Sequence, residues 1–242
     1  MSIFISAGEE DFREKLDLAK RFSVGLELLH FTSYENLYNR KKINGLVRET
    51  RDVPVVIHAP YEVVSFSTDR IVRKFVMANC ERALKIARMF RARRAIFHAG
   101  YYSSKSKGHD EKFTKGALNF FSGLRGPPEI AVENVREDIN LMKVILSPGK
   151  KLCLDIGHAN LYTNQAVPDW IREFGKRMTH AHLHNNDGTE DSHRISGYMD
   201  LISIAKMLKC DMSLEVFDPI HDIERLLPDI LDAKKGQHNQ SE

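Results

Sequence analysis

The sequence has few cysteines, a single tryptophan and no long apolar run. Its three cysteines, Cys80, Cys153 and Cys210, are scattered, with no Cys-x-x-Cys pair. That excludes a disulfide framework and a thiolate zinc site, and the thiols read as core residues of a reducing compartment. Trp170 is expected to anchor an outer helix. No apolar stretch approaches the ~18 residues that span a bilayer. The opening Met-Ser-Ile-Phe-Ile-Ser-Ala lacks the basic and apolar regions of a signal peptide. No membrane partner is therefore expected, and the cytoplasm is the expected compartment. Net charge is small, +3 over 242 residues. It permits an anionic substrate without requiring nucleic acid. Low-complexity segments and linkers are also missing, so nothing divides the chain.

What the chain does have is regular alternation. Short apolar runs begin at Ser2, Gly25, Val53, Arg94, Glu129, Lys151, Met178 and Asp211. Most are followed by a stretch with apolar residues at helical spacing, the longest over Thr68–Arg91 with Ser67 or Thr68 as its cap. Eight strands, each followed by a helix, is the count and size of a single (β/α)8 TIM barrel. The barrel is expected over residues 1–234, with a flexible polar tail over 235–242.

One stretch is unlike the rest. Met178–His193 carries four of the eleven histidines, beside Asp187, Glu190 and Asp191. Along a strand His180, His182 and His184 would share one face, and neutral imidazole is the commonest metal ligand. His180 reads as too deep to reach the mouth, and His184 as support for a ligand. The other runs repeat the theme. Seven successive runs end in an ionisable residue: Glu27, His58, His98, Glu133, Asp155, His182 and Glu215. In a barrel these positions ring the carboxyl-end mouth, where active sites are built. Clustered carboxylates and imidazoles are tolerable when divalent cations neutralise them. The mixture of donors suits zinc, manganese or iron.

The ordered strings Val-Ile-His-Ala-Pro-Tyr, Ile-Phe-His-Ala-Gly-Tyr-Tyr, Ala-Val-Glu-Asn, Cys-Leu-Asp-Ile-Gly-His and His-Ala-His-Leu-His resemble the xylose isomerase-like TIM barrels. That superfamily includes endonuclease IV and many sugar isomerases and epimerases. In the epimerase branch the resemblance implies one ion, such as manganese, held by Glu133, Asp155, His182 and Glu215. In the endonuclease IV branch it implies up to three zinc ions, with His58, His98, His158, Asp191 and His193 added and Glu133 bridging two of them. All nine positions are filled here.

Two functions follow from the resemblance. The first is endonuclease IV-like, metal-dependent phosphoester hydrolysis, with abasic DNA as the implied substrate. The alternative is isomerisation or epimerisation of a small sugar or sugar phosphate, with Glu133 and Glu215 as the acid–base pair. Tyr61, Tyr101 and Lys105 are placed to meet a base, sugar or phosphate, and Glu27 to orient a ligand or hold a substrate hydroxyl. Arg91, Arg93 and Arg94 precede the fourth run, at the wrong end for substrate, and read as a solvated patch. His30, His109, His221 and His238 read as surface or capping groups.

Overall fold

The structure is a computed structural model that describes residues 1–61, 69–100, 111–163, 165–197 and 199–238. Eight parallel strands close into a barrel in sequence order. They are β1 (Ile3–Ala7), β2 (Gly25–Leu28), β3 (Val55–His58), β4 (Arg94–His98), β5 (Glu129–Glu133), β6 (Lys151–Asp155), β7 (Met178–Leu183) and β8 (Asp211–Leu214). The ring is sealed where β1 pairs with β8, Ile5 opposite Leu214. Around it run α1 (Phe12–Phe22), α2 (Arg40–Glu49), α3 (Arg70–Met89), α4 (Glu111–Gly123), α5 (Ile139–Ile145), α6 (Ile156–Tyr162), α7 (Val167–Phe174), α8 (Leu201–Met207) and α9 (Ile220–His238). Among the described residues no helix is long and apolar enough to cross a membrane.

The period of two in each strand divides the core. Outward residues such as Ile57, Phe97, Val132 and Leu154 join the large apolar layer under the helices. Inward residues form a much smaller apolar cluster of Phe4, Val56, Ile96, Ala131 and Cys153. Gly25 makes room for it, since a Cβ there would sit 2.3 Å from the Phe4 ring. The remaining inward positions are polar, and all of Glu27, His58, Glu133, Asp155, His180, His182 and Ser213 are buried.

Several local expectations change. The stretch between β2 and β3 is not one helix but a 3-10 turn, Glu35–Tyr38, followed by α2. The break falls at Asn39, whose side chain accepts from Lys42 N at 3.0 Å. The cap of α3 is Asp69, which accepts from Ile71 N at 2.7 Å. Helix α6 has no apolar stripe to announce it. It starts because the Asp155 carboxylate accepts from His158 N at 2.7 Å. His30 is buried, not superficial, with Phe12 edge-on at 5.1 Å. Trp170 is fully buried and stacks on Phe174. All three cysteines are buried and free. Arg94 does not belong to a solvated patch: it is 5% exposed, and its guanidinium closes the floor of the barrel.

Candidate metal centre

The mouth gathers the strand-end residues into three adjoining clusters. Glu133, at the end of β5, stands between two of them. Its Oε2 faces His58 Nε2 at 3.1 Å and His98 Nε2 at 3.5 Å. Its Oε1 faces His182 Nδ1 at 3.5 Å, within a group completed by Asp155 and Glu215. The third cluster stands where α6 meets the loop after β7. There the Asp191 carboxylate lies 2.9 Å from His158 Nε2 and 3.3 Å from His193 Nε2. The nine residues expected from the sequence as metal ligands are therefore brought together, and one carboxylate divides its two oxygens between two clusters.

The imidazoles are oriented from behind. His58 donates through Nδ1 to the Ala59 carbonyl at 2.9 Å. His158 donates through Nδ1 to the Asn134 carbonyl, and His193 to the Glu215 carbonyl, each at 3.0 Å. A carbonyl can only accept, so each ring carries a proton on Nδ1, and Nε2 is the nitrogen that faces the mouth. His182 is reversed. Its Nε2–H goes to Glu27 Oε1 at 3.0 Å, which leaves Nδ1 for the mouth. Metal-binding histidines are held by such outer acceptors as a rule.

Other groups fix the carboxylates and loops. Asn134 donates to the Asp155 carbonyl at 3.0 Å and accepts from Asp155 N at 2.9 Å. His184 meets both Asp155 oxygens at 2.9 and 3.0 Å. Its ring lies flat on Gly157, where a Cβ would be 2.0 Å from Cε1. The loop with Asp191 and His193 is closed by a backbone bridge between Asn185 and Arg194. His193 sits in the left-handed region, at φ +47°. Such a residue persists only when its surroundings hold it. Here its carbonyl accepts from Phe217 N at 2.9 Å while its ring bonds back to Glu215.

The donor set fits divalent ions. His182 Nδ1 and Glu215 Oε2 lie 2.7 Å apart, yet both are buried without a hydrogen-bond partner. Two acceptors facing each other are reconciled by a cation between them. In the ion-free chain protons do part of this work. Burial opposes charge on every group here. The imidazoles nevertheless hold Glu133, Asp155 and Glu215 below the usual carboxylate range. Burial likewise opposes protonation of His193, but Asp191 and Glu215 raise it to about 9. His158 and His182 are raised well above the ordinary imidazole range by their carboxylates, against burial. His98 differs: burial lowers it to about 4, so it is neutral at physiological pH.

Above the clusters opens a cavity of about 370 Å³. Tyr61 and Phe217 contribute to its walls, the Tyr61 ring 4.9 Å from both His58 and His98 and the Phe217 ring 4.9 Å from His193. Glu27 lies below the cavity, fully buried, and does not line it. Tyr101 and Lys105 lie outside the described residues. Phe217 and Asn134 were not singled out from the sequence. Phe217 follows Glu215 by two positions, a spacing that in an extended run puts both side chains on one side, although β8 itself ends at Leu214. Asn134 had no such signal, because it acts through the backbone of β6.

The model of the xylose isomerase-like TIM barrel family matches residues 22–229. An uncharacterized protein of Methanocaldococcus jannaschii is 25% identical over 211 residues, which cover 78% of this chain and 70% of the relative. A D-tagatose 3-epimerase-like protein has the same fold, with a TM-score of 0.77 at 18% identity, covering 98% of this chain and 99% of that one. A Thermus thermophilus protein soaked with ZnCl2 superimposes with a TM-score of 0.73 at 20% identity, over 95% of this chain and 98% of its own. Endonuclease IV from Thermus thermophilus gives a TM-score of 0.63 at 16% identity, over 98% of this chain and all of its own. With the family model spanning most of the barrel and its mouth, the chain belongs to the xylose isomerase-like TIM barrel family.

Proposed function

We propose that this chain is a metal-dependent phosphoester hydrolase of the endonuclease IV kind, with abasic-site DNA as its substrate. Three zinc ions would be held by His58, His98 and Glu133, by Glu133, Asp155, His182 and Glu215, and by His158, Asp191 and His193. One observation carries this reading. The His158–Asp191–His193 cluster has imidazoles pinned through Nδ1 to backbone carbonyls, as His58 is. In a one-ion reaction His158 would contact substrate, and Asp191 and His193 would have no ligand role. When bound, the ions supply Lewis-acid stabilisation of charge on the phosphate and leaving oxygens.

The chain's own residues do the rest. Glu133 and Glu215 bring negative charge to the centre and fix where ions and reacting groups can sit. His98 is neutral at physiological pH and needs no deprotonation before it binds. Tyr61 and Phe217 offer flat faces on which an unpaired base or sugar can rest. The test is incubation of the zinc-loaded chain with a duplex bearing one abasic site. Cleavage beside that site, lost on chelation, is expected; an intact duplex contradicts the reading.

The second reading, sugar epimerisation, is favoured by the compact cavity of about 370 Å³, a size suited to a small ligand. In it Glu133 and Glu215, both in the cluster around His182, act as the acid–base pair. Replacing His58 and His193 together then leaves activity on ketoses and most of the metal, whereas in the hydrolase that double change removes both.

A further inference from the structure

Beneath the mouth, a column of buried polar groups runs down one side of the barrel interior to its floor. At the bottom Arg94 Nη1 meets His180 Nδ1 at 2.9 Å and Asp211 Oδ2 at 3.0 Å. Higher up, His180 Nε2 meets Ser213 Oγ at 2.8 Å. Ser213 donates to Glu27 Oε2, and Glu27 Oε1 meets His182 Nε2 at 3.0 Å. A direct approach of His180 Nε2 to Glu27 Oε2, at 3.3 Å, runs parallel to the serine. His180, Ser213, Glu27 and His182 are all completely buried, so the bonds among them are not shared with bulk water.

The chemistry at the two ends fixes the donor and the acceptor of every bond in the column. A guanidinium has donors and no acceptor. Facing it, His180 Nδ1 must accept, so the ring's proton is on Nε2. That proton goes up to Ser213 Oγ, which then has its own hydrogen free for Glu27. The Glu27 carboxylate accepts from both sides and so requires the proton of His182 on Nε2. Nδ1 of His182 is left as the nitrogen that faces Glu215, Glu133 and Asp155, where it holds a proton or an ion.

We propose that Arg94 is a positioning residue for His182: from the opposite end of the barrel it holds, through His180 and Ser213, the Glu27 carboxylate that fixes which ring nitrogen His182 offers to an ion. Glu27 is then the outer carboxylate of His182 and not a ligand or a substrate group. The step from His182 to an ion rests on the metal-centre reading above; the direction of the column does not. Arg94 takes this role because its other partners hold it still. Its Nε donates to Glu129 Oε1 at 3.2 Å, while Asp211 is also paired with Arg93 at 3.1 Å. Asp211 thus keeps a cation when Arg94 is replaced.

The test reads the column and the ion separately. Ring nitrogens of the 15N-histidine-labelled chain are followed by two-bond proton–nitrogen correlation, with His180 assigned by its loss in His180→Gln. In the wild type His180 is expected as the neutral Nε2–H tautomer. A proton on Nδ1, or a fully protonated ring at neutral pH, overturns the proposal whatever the ion content. In Arg94→Met the His180 tautomer is expected to become mixed. Zinc affinity at the His182 cluster, measured by competition with a chelator, is expected to fall roughly 10–100-fold, the usual effect of losing an outer partner. Arg94→Lys, which restores a donor-only cation, should recover both. An Arg94→Met chain with wild-type tautomer and affinity overturns the proposal. Should Arg94→Met not fold, Glu27→Gln tests the upper end. Its zinc affinity must fall similarly, and an unchanged affinity overturns the role of the column. If the wild type takes up no ion at His182, the metal-centre reading fails, and the His180 tautomer still decides the column.

Discussion

The interior of this barrel has two unlike halves. On one side Phe4, Val56, Ile96, Ala131 and Cys153 pack as an ordinary apolar filling. On the other, Glu27, His180, His182 and Ser213 occupy comparable inward positions and are just as deeply buried. The first half is interchangeable in kind: residues of similar volume serve equally, and the penalty for change is lost packing. The second half is directional. Each bond there has a fixed donor and a fixed acceptor, with Glu27 accepting from both Ser213 and His182, and a half-satisfied network would be worse than an apolar one. The barrel therefore uses one side of its core for stability and the other to aim a ligand.

Four substitutions and one condition would break or sharpen that contrast. The largest effect is expected at the mouth. Glu133→Gln removes the carboxylate shared by two clusters, so the chain should retain at most one tightly held zinc. Turnover should fall roughly a thousandfold, as expected when charge stabilisation is removed from a water-poor site. Elemental analysis beside a cleavage assay checks both. In the apolar half, Ile96→Ala should lower unfolding stability by about 3 kcal/mol through the cavity it leaves. Its ion count in the folded chain should not change. In the polar half, Ser213→Ala should do the reverse. It should cost about 1 kcal/mol of stability while zinc affinity falls roughly tenfold. Chemical denaturation and chelator competition on the two variants separate these outcomes. If Ile96→Ala loses zinc while Ser213→Ala does not, the division of the core into two roles is wrong.

The pH dependence is smaller and has a definite sign. His193 is raised to about 9 in the ion-free chain, against burial, by Asp191 and Glu215. A raised imidazole adds stability that is fully present below its unfolded value near 6.5 and is lost as pH rises through about 9. The ion-free melting temperature should therefore fall between pH 6.5 and 9. Zinc-loaded protein should not show this fall, because the ions displace those protons. The smallest change in stability is expected for His193→Asn. Asparagine tolerates the left-handed conformation that position 193 adopts, so at pH 9 and above, where the protonated ring no longer adds stability, the ion-free melting temperature should barely move while the zinc-loaded chain holds one ion fewer. A large drop in melting temperature would mean that the ring, and not the backbone conformation, holds the loop.

Much of the fold was legible because it is periodic. Strand β4, from Arg94 to His98, has the limits that the run of apolar residues suggested, and the closed order of eight strands follows from alternation with helices. The ligand cluster was legible for a different reason: ionisable residues at equivalent strand ends stand out against apolar neighbours. Residues that act through backbone or from a distance were not. Asn134 works by pinning the main chain of β6. Arg94 reads locally as one more cation beside Arg91 and Arg93. Only the closed ring brings it beneath His180, a residue eighty-six positions further along the chain. His30 was misplaced because its partner, Phe12, belongs to the preceding helix and its burial has no local signature.

The central claim is that the mouth is built for more than one ion, and the most direct measurement is the metal count. The folded chain is saturated with zinc, passed through a desalting column and analysed for zinc per chain. Three zinc ions per chain are predicted, falling to two in Asp191→Asn with the protein still folded. A single ion in the wild type, unchanged by Asp191→Asn, would contradict the account.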